Sequence, residues 1–146
     1  MKLYRLFVDG KRVKEKELLP VIDKFTGKTF GQVAVASKRT VLHAIKAAHR
    51  TFPAYSRMPA HQRSKILAKA ADLIEQRKDE IAKVICREAG KAWKYSVGEV
   101  ARSVETFRFA AEEAKRIHGE TIPLDASATG GGRVGFYLRV PVVIKP

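Results

Sequence analysis

At 146 residues the chain is long enough for one domain or for one piece of a larger one, and its 45% apolar and 30% charged content excludes a disordered polymer. No apolar run nears the roughly 18 residues of a membrane-spanning helix. The single cysteine, Cys86, excludes an intrachain disulfide and a cysteine-built metal cluster. The formal net charge of +14 raises three readings: a nucleic-acid or acidic partner, a solvated basic surface, or a piece of a protein whose remainder balances the charge.

The opening MKLYRLFVDGKRVKEK lacks the apolar core of a secretory signal, so a cytoplasmic protein is expected. Residues 3–8 are β-prone, and Asp9-Gly10 is a two-residue hairpin turn leading into a return strand at Lys11-Arg12-Val13. Residues 15–20 read as a polar loop ending in Pro20. Val21-Ile22 and Phe30 to Ala36 form a second pair of short strands around the turn Thr26-Gly27-Lys28.

Four helices follow. Ser37 caps the first, whose face is Val41, Ala44, Ile45, Ala48 and Phe52 and which should end or kink at Phe52 because Pro53 has no N–H. Pro59 suits the first turn of the second, with its stripe Ile66, Leu67, Ala70, Leu73 and Ile74. Asp79 and Glu80 favour the start of the third, Ile81, Val84, Ile85 and Ala89 line it, and Gly90 ends it. The fourth runs from Lys91 or Ala92 to Ile117 on Val97, Val100, Ala101, Val104, Phe107, Ala111 and Ala114, and a close packing contact is the preferred reading of Gly98 inside it. Residues 120–123 are extended, 124–134 are a small-residue loop, and 135–144 are a strand with Pro141 at an edge or bend. The expected class is α+β: hairpins over residues 1–37, a helical block over 38–119, and a loop and strand over 120–146.

Each candidate for chemistry has a plainer explanation. Gly130, Gly132 and Gly135 meet the G-x-G-x-x-G spacing, but no strand precedes them and no helix follows, so they read as a loop. Cys86 is the sole thiol and reads as a small core residue of the third helix. His43, His49, His61 and His118 lack metal-motif spacing and read as surface or cap residues. Arg39, His43, Lys46 and Arg50 form a basic stripe, and Lys2, Arg5, Lys11, Arg12, Lys14 and Lys16 enrich the first hairpin. Positive charge is nonetheless spread along the whole chain and the aromatics follow apolar faces, which argues against a dedicated nucleic-acid function.

Taken in order, the segments resemble the N-terminal portion of the NAD(P)-dependent aldehyde dehydrogenase superfamily. The similar stretches are FVDGKRV, VIDKFTGKTFGQVAVAS, VLHAIKAAHRTFPAYS with Tyr55 where the family has tryptophan, QRSKILAKAADLIEQRKDEIA, REAGKAW with Ala92 in place of proline, GEVARSVETFRFAAEEAKRIHGETIP, and RVPV. The resemblance implies oxidation of an aldehyde to a carboxylate by a cysteine thiolate with hydride passed to NAD or NADP. The family's asparagine, lysine, glutamate and nucleophilic cysteine have no matching positions in this sequence, and Cys86 does not align with the nucleophile. No catalytic, cofactor-binding or metal residue is therefore carried over. Three further expectations follow: a truncated or frame-shifted enzyme, or a piece cut from one; inactivity and no cofactor binding by the chain alone; and self-association through uncovered helix faces. The third and fourth helices should pack together.

Overall fold

A computed structural model of the chain describes residues 2–142. The elements run β1 (Lys2–Tyr4), β2 (Leu6–Val8), β3 (Lys11–Val13), β4 (Leu18–Ile22), β5 (Thr29–Ala34), α1 (Lys38–Ser56), α2 (Ala60–Gln76), α3 (Lys78–Ala89), α4 (Trp93–Glu113), β6 (Glu120–Ile122), a 3-10 turn (Leu124–Ala126) and β7 (Gly135–Tyr137). The α+β class and the four helices are those expected from the sequence.

The β region is more divided than its sequence suggests. Residues 3–8 do not make one strand. The chain breaks at Arg5, so that β1 joins β5 in parallel while β2 pairs β3 across the turn. Asp9 at φ 52° and Gly10 at φ 73° give that turn the left-handed pair that matches strand twist. Residues 18–20, expected as loop, belong to β4 and pair antiparallel with β5, Leu18 against Ala34 and Pro20 against Gln32. The sheet order β1-β5-β4 leaves β4 at an edge, where a proline's missing donor is tolerated.

The first helix is longer than expected. Ser37 caps it by accepting the Thr40 N–H at 3.4 Å, and the helix runs through Pro53 to Ser56. Pro53 removes one bond close to the end, beside exposed His49, and the Ser56 hydroxyl donates to the Pro53 carbonyl at 3.1 Å. Its packed face is also displaced by about one position. Thr40 and Ala47 are buried, whereas Val41 and Ile45 remain 46% and 51% exposed, because the neighbour this helix meets is β2.

In the helical block α4 packs against both α2 and α3, so the expected pairing of the last two helices is present and α2 is added to it. The buried residues are small: Ser64, Ala71, Ala82, Ser96, Val100, Val104 and Ala111. Small side chains let helix axes approach closely, and the Ser96 hydroxyl avoids a stranded polar group by donating to the Ala92 carbonyl at 3.3 Å. The larger residues of the expected stripes sit at the rim, with Ile66 at 53% and Leu73 at 44% exposure, and Ala101 faces out. Gly90 ends α3 in the left-handed conformation at φ 69°. α4 begins at Trp93 and stops at Glu113, short of Ile117, because Lys115 and Arg116 bond back only three residues.

Gly98 holds no packing contact. A Cβ there would meet nothing within 4 Å. At the far end β7 is shorter than the expected strand: Gly135 to Tyr137 pair with β6, residues 138–142 pair with no strand among the described residues, and Val143 and Ile144 lie outside them.

Two stability measurements follow. Gly98→Ala should stabilise the chain by about 1 kcal/mol in urea titration, since an exposed helix interior gains propensity without a clash. Val100, only 2% exposed, should cost roughly 2 kcal/mol when cut to alanine.

Candidate functional site

The densest polar constellation lies where the sheet meets α3. Asp23 follows β4 and is 7% exposed. Its Oδ1 accepts the N–H groups of Phe25 and Thr26 at 3.1 and 3.0 Å, and its Oδ2 accepts from Arg87 Nε on α3 at 2.9 Å. The Arg87 guanidinium lies 4.2 Å from the centre of the Phe30 ring, and its carbonyl accepts the Lys24 N–H at 3.0 Å. The Thr26 N–H first, and the Arg87 cation second, lower the Asp23 carboxyl to about 2. So acidic a carboxylate is a poor proton acceptor at neutral pH, and the cluster functions as a joint between layers.

Two smaller clusters tie the N-terminal strands to α1. Glu15 accepts the Ser37 hydroxyl at 3.0 Å and the Thr40 hydroxyl, which lowers its pKa. Both carboxylate oxygens of Asp9 accept from a single Arg50 nitrogen, Nη2, at 2.8 Å, with His43 Nε2 at 3.9 Å, and the Arg50 bond lowers the Asp9 pKa. Two members of the basic stripe, Arg50 and His43, are thus engaged with the first hairpin. Lys2 of the enriched hairpin lies 4.9 Å from the centre of the Tyr4 ring.

The remaining candidates are not gathered. Cys86 is half-buried on α3. His49 and His61 are exposed on α1 and α2, and His118 Nδ1 sits 2.6 Å from the Arg116 carbonyl. Among the described residues no three His, Cys, Asp or Glu side chains are grouped to hold a metal, and no helix is long and apolar enough to cross a membrane. The glycine cluster does not fit a dinucleotide: Gly135 opens a strand instead of a helix, and Gly130 is already crowded, since a Cβ on it would lie 1.6 Å from the Leu124 carbonyl. Sequence reading passed over Asp23 and Glu15. An aspartate three residues before a Thr-Gly pair is a legible Asx-turn signal, whereas nothing local marks Glu15 as the partner of residues 22 and 25 positions on.

The geometry therefore defines an α+β scaffold segment held by ionic joints, without an assembled catalytic constellation among its described residues. Residues 10–144 match the aldehyde dehydrogenase family, and the chain belongs to that family. It is 36% identical to 3-sulfolactaldehyde dehydrogenase of Priestia aryabhattai over 97% of this chain and 29% of that protein. It is 33% identical to the mitochondrial succinate-semialdehyde dehydrogenase of Rattus norvegicus over 93% of this chain and 25% of that one. Among solved structures it is similar to aldehyde dehydrogenase 21 from Physcomitrella patens in complex with the reaction product succinate, at TM-score 0.86 and 38% identity, over 92% of this chain and 28% of that one. It is also similar to the NADP-dependent glyceraldehyde-3-phosphate dehydrogenase from Bacillus halodurans complexed with NADP, at TM-score 0.83 and 29% identity, over 90% of this chain and 28% of that one. The chain thus spans less than a third of the length of these relatives.

Because Asp23 is more acidic folded than its ordinary 3.8, its contribution to stability is complete above about pH 4 and disappears as pH falls towards 2. Asp23→Asn keeps a turn acceptor but no charge. Thermal melts should show the wild type losing its advantage over this variant between about pH 4 and 2; a constant difference would show the charge to be irrelevant.

Proposed function

We propose that the chain supplies the N-terminal segment of an NAD(P)-dependent aldehyde dehydrogenase, and that residues 1–146 alone do not oxidise aldehydes. Its parts in that reading are strands over 1–37, the helical block over 38–119, and the loop and strand over 120–146. The observation that carries it is the family match across residues 10–144, joined to a chain whose only thiol is Cys86.

Oxidation of an aldehyde by this chemistry needs a positioned thiolate, donors for the developing oxyanion and a bound nicotinamide. Cys86 is half-buried on α3, the histidines are dispersed, and the glycine loop lacks the strand-to-helix setting of a pyrophosphate cradle. NAD or NADP would therefore be held by parts of the fold other than these residues. Two of the similar solved structures, one in complex with the reaction product succinate and one complexed with NADP, support the class of reaction and leave the aldehyde undefined.

The test has two arms. The purified chain, given NAD or NADP and a panel of aldehydes, should generate no NAD(P)H above the blank. Turnover would overturn the proposal, and its loss in Cys86→Ser would assign that turnover to Cys86. In the second arm, residues 1–142 replace the matching segment of the Priestia enzyme. The chimera should fold and retain dehydrogenase activity; an inactive, folded chimera would count against the scaffold role.

A further inference from the structure

The +14 charge is divided unequally along the chain. Residues 1–71 hold 16 of the 29 lysines and arginines but only 4 of the 15 acidic residues, Asp9, Glu15, Glu17 and Asp23. Residues 72–146 are nearly balanced, at 13 against 11. Basic residues are thus spread along the whole sequence, and the acidic ones that would neutralise them are not. Ion pairing follows the same division. Arg77, Arg87, Lys91, Arg108, Lys115 and Arg116 of the second part each meet a carboxylate. In the first part Arg50 and His43 meet Asp9, whereas among the described residues Lys11, Lys14, Lys16, Arg39 and Lys46 stand in no salt bridge, and all five are exposed.

The fold collects these five. Arg39, His43, Lys46 and Arg50 recur at helical spacing on one side of α1, along about 16 Å of its length. The chain from the β2-β3 turn onward runs beside that row and is tied to it at both ends. Asp9 accepts from Arg50 Nη2 at 2.8 Å near the end of the helix, and Glu15 accepts the Ser37 hydroxyl at 3.0 Å at its start. Lys11, Lys14 and Lys16 therefore form a second row adjoining the first. Lys14, Lys16 and Arg39 line one open groove, together with Glu15 and Glu17.

We propose that this two-row cationic band binds the sugar–phosphate backbone of nucleic acid without reading its sequence. The helix row is as long as about five nucleotide steps of one strand. Cations at regular short intervals suit a regular line of phosphates, whereas a protein partner would need an apolar centre to its interface. Lysine and arginine on phosphates fix position and carry no base information, so the binding is electrostatic and common to all sequences. A bilayer is the other extended anionic surface. Val41 and Ile45, two exposed apolar residues of α1, lie about a third of a turn or more from the cation row, so inserting them would turn the band away from the headgroups. This inference goes beyond the dehydrogenase reading and does not rest on it, since its measurement is made without aldehyde or cofactor.

Fluorescence anisotropy of a labelled duplex of about 20 base pairs, titrated with the full 146-residue chain at several salt concentrations, tests it. Five phosphate contacts give a slope of about −4.5 in log K against log salt, or roughly a 500-fold loss of affinity between 50 and 200 mM. No binding at 50 mM, or a slope near −1, would overturn the proposal. Lys14→Gln/Arg39→Gln/Lys46→Gln should flatten the slope by about 2.7 and weaken binding at 50 mM by about tenfold or more. Lys83→Gln/Lys94→Gln/Arg102→Gln removes the same charge from exposed positions of α3 and α4 and should leave the slope unchanged. Equal weakening by the two triple variants would make net charge alone responsible, and the band would fail. Circular dichroism checks that each variant is folded; where the first is not, Lys46→Gln alone should take about 0.9 off the slope. Vesicles containing phosphatidylserine should bind more weakly than the duplex at the same salt, and tighter binding to them would replace nucleic acid by a membrane surface.

Discussion

The connection between the β1-β5-β4 sheet and the helical block depends on the Asp23–Arg87 joint. β4 is the strand of that sheet that reaches a helix, and it does so at α3. At that meeting point one carboxylate serves three donors, two from its own turn and one from the helix, and the helix returns a carbonyl to Lys24. The turn is shaped by the same side chain that anchors it. Removing the charge would therefore loosen the turn and the junction together, which differs from the usual surface ion pair of little consequence. Gly90 adjoins the joint: a Cβ on it would stand 3.0 Å from the Lys24 Cβ, a tight contact that the two segments would have to relieve by a few tenths of an ångström.

Ionic joints carry this weight because the hydrophobic core is modest. The buried set of α2, α3 and α4 consists of alanines, serines and valines, which bring helix backbones together yet remove little apolar surface from water. The bulky residues face outward or lie at the rim, among them Phe25 at 95%, Phe109 at 70% and Val142 at 84% exposure. In an isolated domain the large side chains would be expected in the core and the small ones at contacts. Here the small ones make the contacts and the large ones are left over, a distribution suited to a layer within a larger assembly.

That distribution also explains what was legible in the sequence. Local rules were reliable where the chain decides its own conformation: the Asp9-Gly10 turn, the Ser37 cap, the Gly90 stop, and the existence and approximate length of four helices. They failed where a neighbour decides. Leu3 to Val8 look like one strand, but Arg5 divides them because β1 and β2 serve different partners. The stripe from Val41 to Phe52 is periodic, yet the hairpin that α1 meets selects Thr40 and Ala47. Period gives the direction of an apolar face, and only the neighbour determines whether it is covered. As for candidate sites, the glycine spacing was rightly weighed against its context; the turn role of Asp23 was locally legible, whereas its bond to Arg87, 64 residues away, and the bonds of Glu15, 22 and 25 residues away, have no local signal.

The same logic separates the two kinds of uncovered surface. The helix faces of α1 and α2 are interrupted by polar residues and offer no unpaired backbone, so a partner there would have to supply shape complementarity side chain by side chain. The edge beyond β7 differs because its backbone groups are directional and its apolar side chains repeat with the strand period. Charge acts over longer distances: 29 lysines and arginines against 15 acidic residues leave the chain strongly basic, and that field is screened by salt.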